Sequence, residues 1–199
     1  MELKRFLEKM SSDTPTPGGG SASALAGALS ASLVAMVAGL SLKKDKTKRE
    51  GMEEMREKGL SIQRRLLQAT DEDSKSFDAV IKAFRLPRNS EKERRHRVKE
   101  IQKAYQRATF IPQVVCQQSL QLLEYSKVLI IKGNPNAISD AGVAAFLADA
   151  ACAGGLLNIK INLAAVTEKN VAKKMNILMR NWGRKRNRLM KTILTRLVE

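Results

Sequence analysis

Aromatic residues make up only 4% of this chain, which carries two cysteines, Cys116 and Cys152, and a single histidine, His96. Two thiols and one imidazole are too few for a disulfide framework or a tetrahedral zinc site. No metal is therefore expected, and a reducing, cytoplasmic setting is. The scarcity of rings also weighs against a surface that reads single-stranded nucleic acid by stacking, since Trp182 and Tyr105 stand alone in basic surroundings. Nucleic acid is not the expected partner. A secretory pattern is missing too: Met1 to Met10 is charged throughout, and the apolar run starts only after a glycine loop.

Positive charge is what the chain has in excess, with 36 Lys and Arg against 20 Asp and Glu, a formal net charge of +16. Such a balance attracts polyanions in general and does not choose among nucleic acid, an acidic membrane surface and a polycarboxylate ligand. The abundance of Ala, Leu, Lys, Glu and Arg is the usage of helical proteins. At 199 residues with 43% hydrophobic content, the chain is long enough for one well-buried core, so residues 1–199 read as a single domain.

Leu3, Phe6, Leu7 and Met10 have the spacing of a short amphipathic helix, followed by a loop over Ser11 to Gly20. Ser21 to Leu42 is then uncharged over 22 residues, long enough to span a membrane. It is rich in Ser, Ala and Gly, however, and small residues recur every four at Ser23, Gly27, Ala31, Ala35 and Gly39. That spacing lays a narrow ridge along a helix that a neighbour can approach closely, so a buried helix is expected and no membrane span. A charged helical stretch runs from Thr47 to about Phe84 and ends at Leu86-Pro87. Ser90 and Glu93 read as a capping box opening a long helix to about Ile131, which Pro112 should kink or break.

Lys132 to Asp140, "KGNPNAISD", is a second loop with strong turn chemistry. A small-residue helix follows from about Asp140, interrupted or thinned at Gly154-Gly155. A basic last helix starts near Thr167, with Leu178, Trp182, Leu189, Ile193 and Leu197 on its buried side. The architecture expected is an all-α, single-domain bundle of about five to seven helices, two of them opened by glycine- or asparagine-rich loops.

A glycine-rich turn at a helix start exposes backbone N–H groups and the positive end of the helix dipole, which suits a carboxylate, phosphate or polarised carbonyl. "PGGGS" lacks the Gly-Lys-Ser/Thr ending of a phosphate loop and the preceding strand of a dinucleotide fingerprint. Taken alone it is better explained as a tight turn with close helix packing. Asp140 and Ser139, read alone, are helix caps before they are chemical groups. His96, in "RRHR", reads as surface, and Cys116 and Cys152 as small core residues.

Four segments in order, "TPTPGGGSASALAGALSASLVAMV", "DEDSKSFDAVIKAFRLP", "GNPNAISDAGVAAFLADAA" and "LNIKINL", resemble the cyclodeaminase family of folate one-carbon enzymes. That family includes the cyclodeaminase half of formiminotransferase-cyclodeaminase and stand-alone methenyltetrahydrofolate cyclohydrolases. The resemblance covers about Phe6 to Asn170; the basic cluster Arg180 to Arg188 lies outside it. It implies an all-helical homodimer or larger homo-oligomer and a reduced folate, polyglutamylated forms included, as substrate. It further implies deamination of 5-formiminotetrahydrofolate to 5,10-methenyltetrahydrofolate, hydrolysis of the latter to 10-formyltetrahydrofolate, or both.

Carried onto this chain, the resemblance places acid–base chemistry on Asp140 first and Asp73 second. Substrate contacts fall on Pro17, Gly18, Gly19, Gly20, Ser21 and Ser139, with Asn158 and Asn162 on the pterin amide edge. Lys132, with Lys43 and Lys44, is expected near an anionic glutamate tail. After Lys43-Lys44 this chain has Asp45, without the tyrosine that family members carry shortly after the lysines, which removes a ring-stacking contact. The alternative is a folate-binding or nucleic-acid-binding protein that keeps the fold without turnover.

Overall fold

A computed structural model describes residues 2–44 and 49–198, with the side chains of Arg49 and Glu50 left out. Asp45 and the expected helix start at Thr47 lie outside the described residues. The elements are α1 (Leu3–Met10), α2 (Gly19–Lys44), α3 (Arg49–Phe84), α4 (Glu91–Ala108), α5 (Phe110–Lys132), a 3-10 turn (Pro135–Ala137), α6 (Ile138–Ala164) and α7 (Lys169–Val198). Among the described residues there is no strand, and the all-α bundle is as the sequence led us to expect.

The centre of the bundle is α2, which packs on α3, α5 and α6. Its small-residue ridge makes this possible: a Cβ on Gly27 would strike Leu66 and touch Ala151, and Gly59 of α3 lies against the Ala31 carbonyl and Ala35. Ala24, Ala31, Val34 and Ala38 are fully enclosed. The buried hydroxyl of Ser30 donates to the Ala144 carbonyl of α6 at 2.7 Å, so this polar group joins the two helices instead of remaining unpaired. By length and composition, Gly19–Lys44 and Pro135–Ala164 could each cross a membrane, yet 50% and 44% of their apolar windows are buried against other helices.

Local signals fix several boundaries. Ser90 Oγ accepts from the Glu93 N–H at 3.2 Å and Glu93 Oε2 accepts from the Ser90 N–H at 3.0 Å, the reciprocal capping box read from the sequence. The break expected near Pro112 falls at Thr109, with Pro112 in the first turn of α5, where its missing N–H forfeits no helical bond. Two expectations are corrected. The helix α6 runs unbroken through Gly154-Gly155; these glycines serve packing, because a Cβ there would run into Ser23 Oγ from Gly154 and into Cys116 Sγ and the Pro112 carbonyl from Gly155. Finally, α2 begins at Gly19, so Ser21 lies inside its first turn.

Two apolar clusters result. The main one joins α2, α3, α5, α6 and α7, with Trp182, Leu189 and Ile193 of α7 buried as expected and Leu178 and Leu197 packed beside them. A smaller one, Val80, Ala83, Ile101, Ala104 and Ala108 with Tyr105, holds α4 against the end of α3. Arg186 of α7 donates to both carboxylate oxygens of Asp149 of α6, at 2.6 and 2.8 Å. Cys116 and Cys152 are buried and free, and His96 is exposed.

Gly155 and Gly183 should respond oppositely to alanine. Gly155→Ala forces a methyl against sulfur and backbone and should destabilise by about 1–3 kcal/mol. Gly183, in mid-α7 with nothing within 4 Å of its would-be Cβ, should gain about 0.5–1 kcal/mol as alanine. Urea unfolding midpoints check both, and equal shifts would contradict this account of the packing.

Candidate active site

A cavity of about 270 Å³ opens where the N-terminus of α2 meets α3, α4 and α6. Gly18, Gly19 and Gly20 form one edge; Asp73 and Ser76 of α3 form the floor; Phe77, Val80, Tyr105 and Ile161 supply apolar wall; and Asn158 and Asn162 face in from α6. The helical repeat explains the grouping, since Asp73, Phe77 and Val80 lie on one stripe of α3 and Asn158, Ile161 and Asn162 on one stripe of α6.

Asp73 is the polar centre. Its carboxyl lies against Gly20 so closely that any Cβ there would overlap it. Ser21 Oγ, fully buried, donates to the Thr70 carbonyl at 2.9 Å and lies 3.1 Å from Asp73 Oδ2. Ser74 Oγ is 3.3 Å from the same hydroxyl. Burial pushes the Asp73 carboxyl above its ordinary value, opposed by hydrogen bonds from the Ser21 side chain and backbone at the α2 N-terminus. A serine has one proton to give. When Ser21 spends it on Thr70, the contact with Asp73 is best made by a protonated carboxyl; when Asp73 is ionised, the hydroxyl turns toward it. The pair can therefore hold or release a proton with only a hydroxyl rotation.

The three glycines differ. None has a positive φ, so conformational freedom does not explain them. Gly20 makes room for Asp73, whereas a Cβ on Gly18 would make ordinary contact at 3.4 Å and one on Gly19 would meet nothing within 4 Å. Protein packing does not require glycine at Gly19, and the open space beside it is the cavity itself. The amides are held in place: Asn158 Nδ2 donates to the Gly154 carbonyl and Asn162 Nδ2 to the Ala108 carbonyl, each at 2.8 Å. These bonds fix the amide planes, and each Oδ1 remains available to a donor in the cavity.

The site residues expected from the sequence fall into two groups. Gly18, Gly19, Gly20, Asp73, Asn158 and Asn162 line this one cavity. Ser21 and Pro17 are buried beside it, Ser21 supporting Asp73 from behind. Ser139 and Asp140 lie in the first turn of α6, exposed and half-buried respectively. Asp140 is about 27 Å along the helix from Asn158 at 1.5 Å per residue. Lys132 is at that same far end, where a second cavity of about 400 Å³ is lined by it, Ser41, Lys44, Gly133 and Asn134. Sequence reasoning missed Tyr105, Ser76 and Ile161. The α6 stripe was enough to find Ile161, but no local pattern announces Tyr105, whose ring stands edge-on to Phe84 at 6.2 Å and reaches the cavity through the packing of α4.

The raised Asp73 value has a sign for stability. The folded chain holds this proton more tightly than the unfolded one, so stability is lost as pH rises from the ordinary carboxylate range through the folded value, and the loss is constant above it. Asp73→Asn removes that segment. In unfolding titrations at successive pH values, the wild type should lose stability relative to Asp73→Asn across this window; a change in the opposite direction would show that Ser21, not burial, dominates.

The sequence matches the family model for formiminotransferase-cyclodeaminase over residues 2–181. The methenyltetrahydrofolate cyclohydrolase of Methylorubrum extorquens is 33% identical over 197 residues, covering 96% of this chain and 95% of that protein. The formimidoyltransferase-cyclodeaminase of Mus musculus is 28% identical over 172 residues, 83% of this chain; those residues are 31% of the mouse protein, so the chain corresponds to about a third of that length. The solved structure of a formiminotetrahydrofolate cyclodeaminase from Thermotoga maritima matches with a TM-score of 0.90 at 26% identity, over 99% of this chain and 96% of that one. Agreement of both sequence and fold over nearly the whole length establishes that this chain belongs to the formiminotransferase-cyclodeaminase family.

Proposed function

We propose that this chain is a soluble, cytoplasmic folate one-carbon enzyme that forms or opens 5,10-methenyltetrahydrofolate in the Asp73 cavity. The observation that carries the reading is a carboxyl raised by burial on the floor of a cavity walled by apolar side chains and edged by two oriented amides. Relatives bearing both activities support it, and the two reactions ask the same of the protein.

As a cyclodeaminase, N10 of protonated 5-formiminotetrahydrofolate attacks the formimino carbon, and the C=N electron pair moves onto the imino nitrogen. Asp73 takes the N10 proton and passes it to that nitrogen; ammonia leaves as the N5 lone pair reforms a double bond, giving the methenyl cation. As a cyclohydrolase, water adds to the methenyl carbon, Asp73 takes a water proton and delivers it to N5, and the C–N5 bond breaks. The remaining hydroxyl proton goes to solvent and 10-formyltetrahydrofolate results. A carboxyl poised closer to neutrality serves both directions, and its ionised form stabilises the amidinium. The reading needs no metal and no cofactor beyond the folate itself.

Asn158 and Asn162 accept from the pterin's amide edge, Phe77 and Tyr105 flank the ring, and Gly18 and Gly19 leave room for its face. Ser139, Asp140 and Lys132, at the opposite end of the bundle, act on this cavity only from a second copy of the chain. A homodimer that brings them across would place Asp140 by the reacting carbon and Lys132 by a glutamate tail.

The purified protein should be given each substrate separately, following the methenyl chromophore and released ammonia. Methenyl formation with ammonia defines the deaminase, and accelerated methenyl loss defines the cyclohydrolase. Asp73→Asn should lower kcat by about 10²–10⁴-fold, while Asn162→Ala should act mainly on KM. If Asp140 serves from a second copy, mixing inactive Asp73→Asn and Asp140→Asn proteins should restore up to about a quarter of wild-type turnover through hybrid dimers. Folate binding without turnover of either substrate would overturn the enzyme and leave a binding protein on this fold.

A further inference from the structure

The helix α7 carries ten Lys and Arg and no Asp or Glu over its 30 residues. Trp182, Leu189 and Ile193 turn one face inward. At 100° per residue, Lys169, Lys173, Arg180, Arg184, Arg188 and Lys191 fall on the opposite face, and all six are exposed. Among the described residues none of the six forms a salt bridge, and the neighbouring acids Glu124 and Asp149 are already paired with Lys185 and Arg186. Arg180 also donates from Nε to the Asn176 carbonyl of its own helix. From Lys169 to Lys191 the stripe runs about 33 Å, close to one turn of a B-form duplex, roughly 34–36 Å.

We propose that the outer face of α7 is a docking surface for the phosphodiester backbone of double-stranded nucleic acid. Guanidinium groups at Arg180, Arg184 and Arg188 recur every four residues and present planar forks that match phosphate oxygens. Exposed Asn176, Asn181 and Asn187 add neutral donors and acceptors suited to phosphate and sugar. Lys160 of α6 joins Lys173 and Arg180 around a groove of about 620 Å³ beside the stripe, widening the basic surface.

Other occupants fit less well. Single strands are bound by stacking their bases on exposed rings, and the one tryptophan of α7 is buried; the scarcity of aromatics therefore argues against single strands and leaves duplex binding open. A helix lying in a membrane interface inserts its apolar face, whereas here that face is packed into the bundle. A second copy docking through the same patch would set like charges against each other.

The test uses the full-length chain and a labelled random duplex of about 20 base pairs, two helical turns. Anisotropy is read between about 50 and 200 mM salt, where the slope of log K against log salt is roughly −0.9 per phosphate contacted. The expected slope is near −5 with all six cations engaged. The variant Arg180→Gln/Arg184→Gln/Arg188→Gln should bind more weakly with a slope shallower by about three, while its folate turnover stays at the wild-type level. Lys92→Gln/Arg94→Gln/Lys99→Gln on α4, of equal net charge, should bind like wild type. Equal losses in both triple variants, tighter binding of single strands than of duplex, or binding to phosphatidylserine vesicles without duplex binding would each overturn the proposal.

Discussion

The closeness of α2 to α3 and α6 is the constraint from which the rest of the structure follows. Helices with ordinary side chains at their contact stand about 8–10 Å apart; here Gly27, Gly59 and Gly154 remove the atoms that would hold them at that distance. Close approach brings backbone carbonyls within reach of buried hydroxyls, so Ser30 bonds to α6 and Ser21 to α3. The same approach puts the Asp73 carboxyl of α3 onto the first turn of α2. The polar centre of the cavity is thus a product of helix packing, and Gly20 is the residue at which packing and chemistry meet.

That placement sets two opposing influences on one carboxyl. Apolar neighbours strip water from Asp73 and favour its neutral form, while the Ser21 hydroxyl and N–H favour its charge, and burial prevails. An acid whose pKa is raised toward neutrality is the kind suited to moving a proton between two nitrogens or between water and nitrogen. The wall facing it rests on a separate, smaller cluster. Val80 and Tyr105 are consequently held by the α3–α4 pair, with the more exposed Phe77 nearly one turn before Val80 on α3.

Much of this was legible in the sequence wherever a local pattern determines the outcome. Ser90 and Glu93 fix a helix start by their own hydrogen bonds, and the apolar spacing of Trp182, Leu189 and Ile193 fixes the buried side of α7. Reading failed where tertiary packing outweighs local propensity. Gly154-Gly155 resembles a helix interruption until Cys116, Pro112 and Ser23 are seen to occupy the space. Gly18 to Gly20, Asp73, Asn158 and Asn162, singled out from the sequence, line one cavity. Asp140 and Lys132, from motifs of the family resemblance, do not join them, because α6 is long and its two ends lie far apart; sequence order carries no measure of that distance. Tyr105 was invisible because only the docking of α4 brings it to the cavity.

The distribution of charge separates the two demands that a folate makes. None of the cavity-lining side chains is Lys or Arg, and the one ionisable carboxyl among them is Asp73. In the proposed reactions the ring system becomes a cation, and a lysine at van der Waals distance would oppose it at low dielectric, where a charge at 4 Å counts for several times what it does in water. The large positive surplus lies instead on outward faces, most densely on α7, where water and salt screen it within about 10 Å. A chain can therefore carry a net charge of +16 and still offer a cationic intermediate an unopposed carboxylate, provided its cations stay on the far sides of the helices that build the cavity.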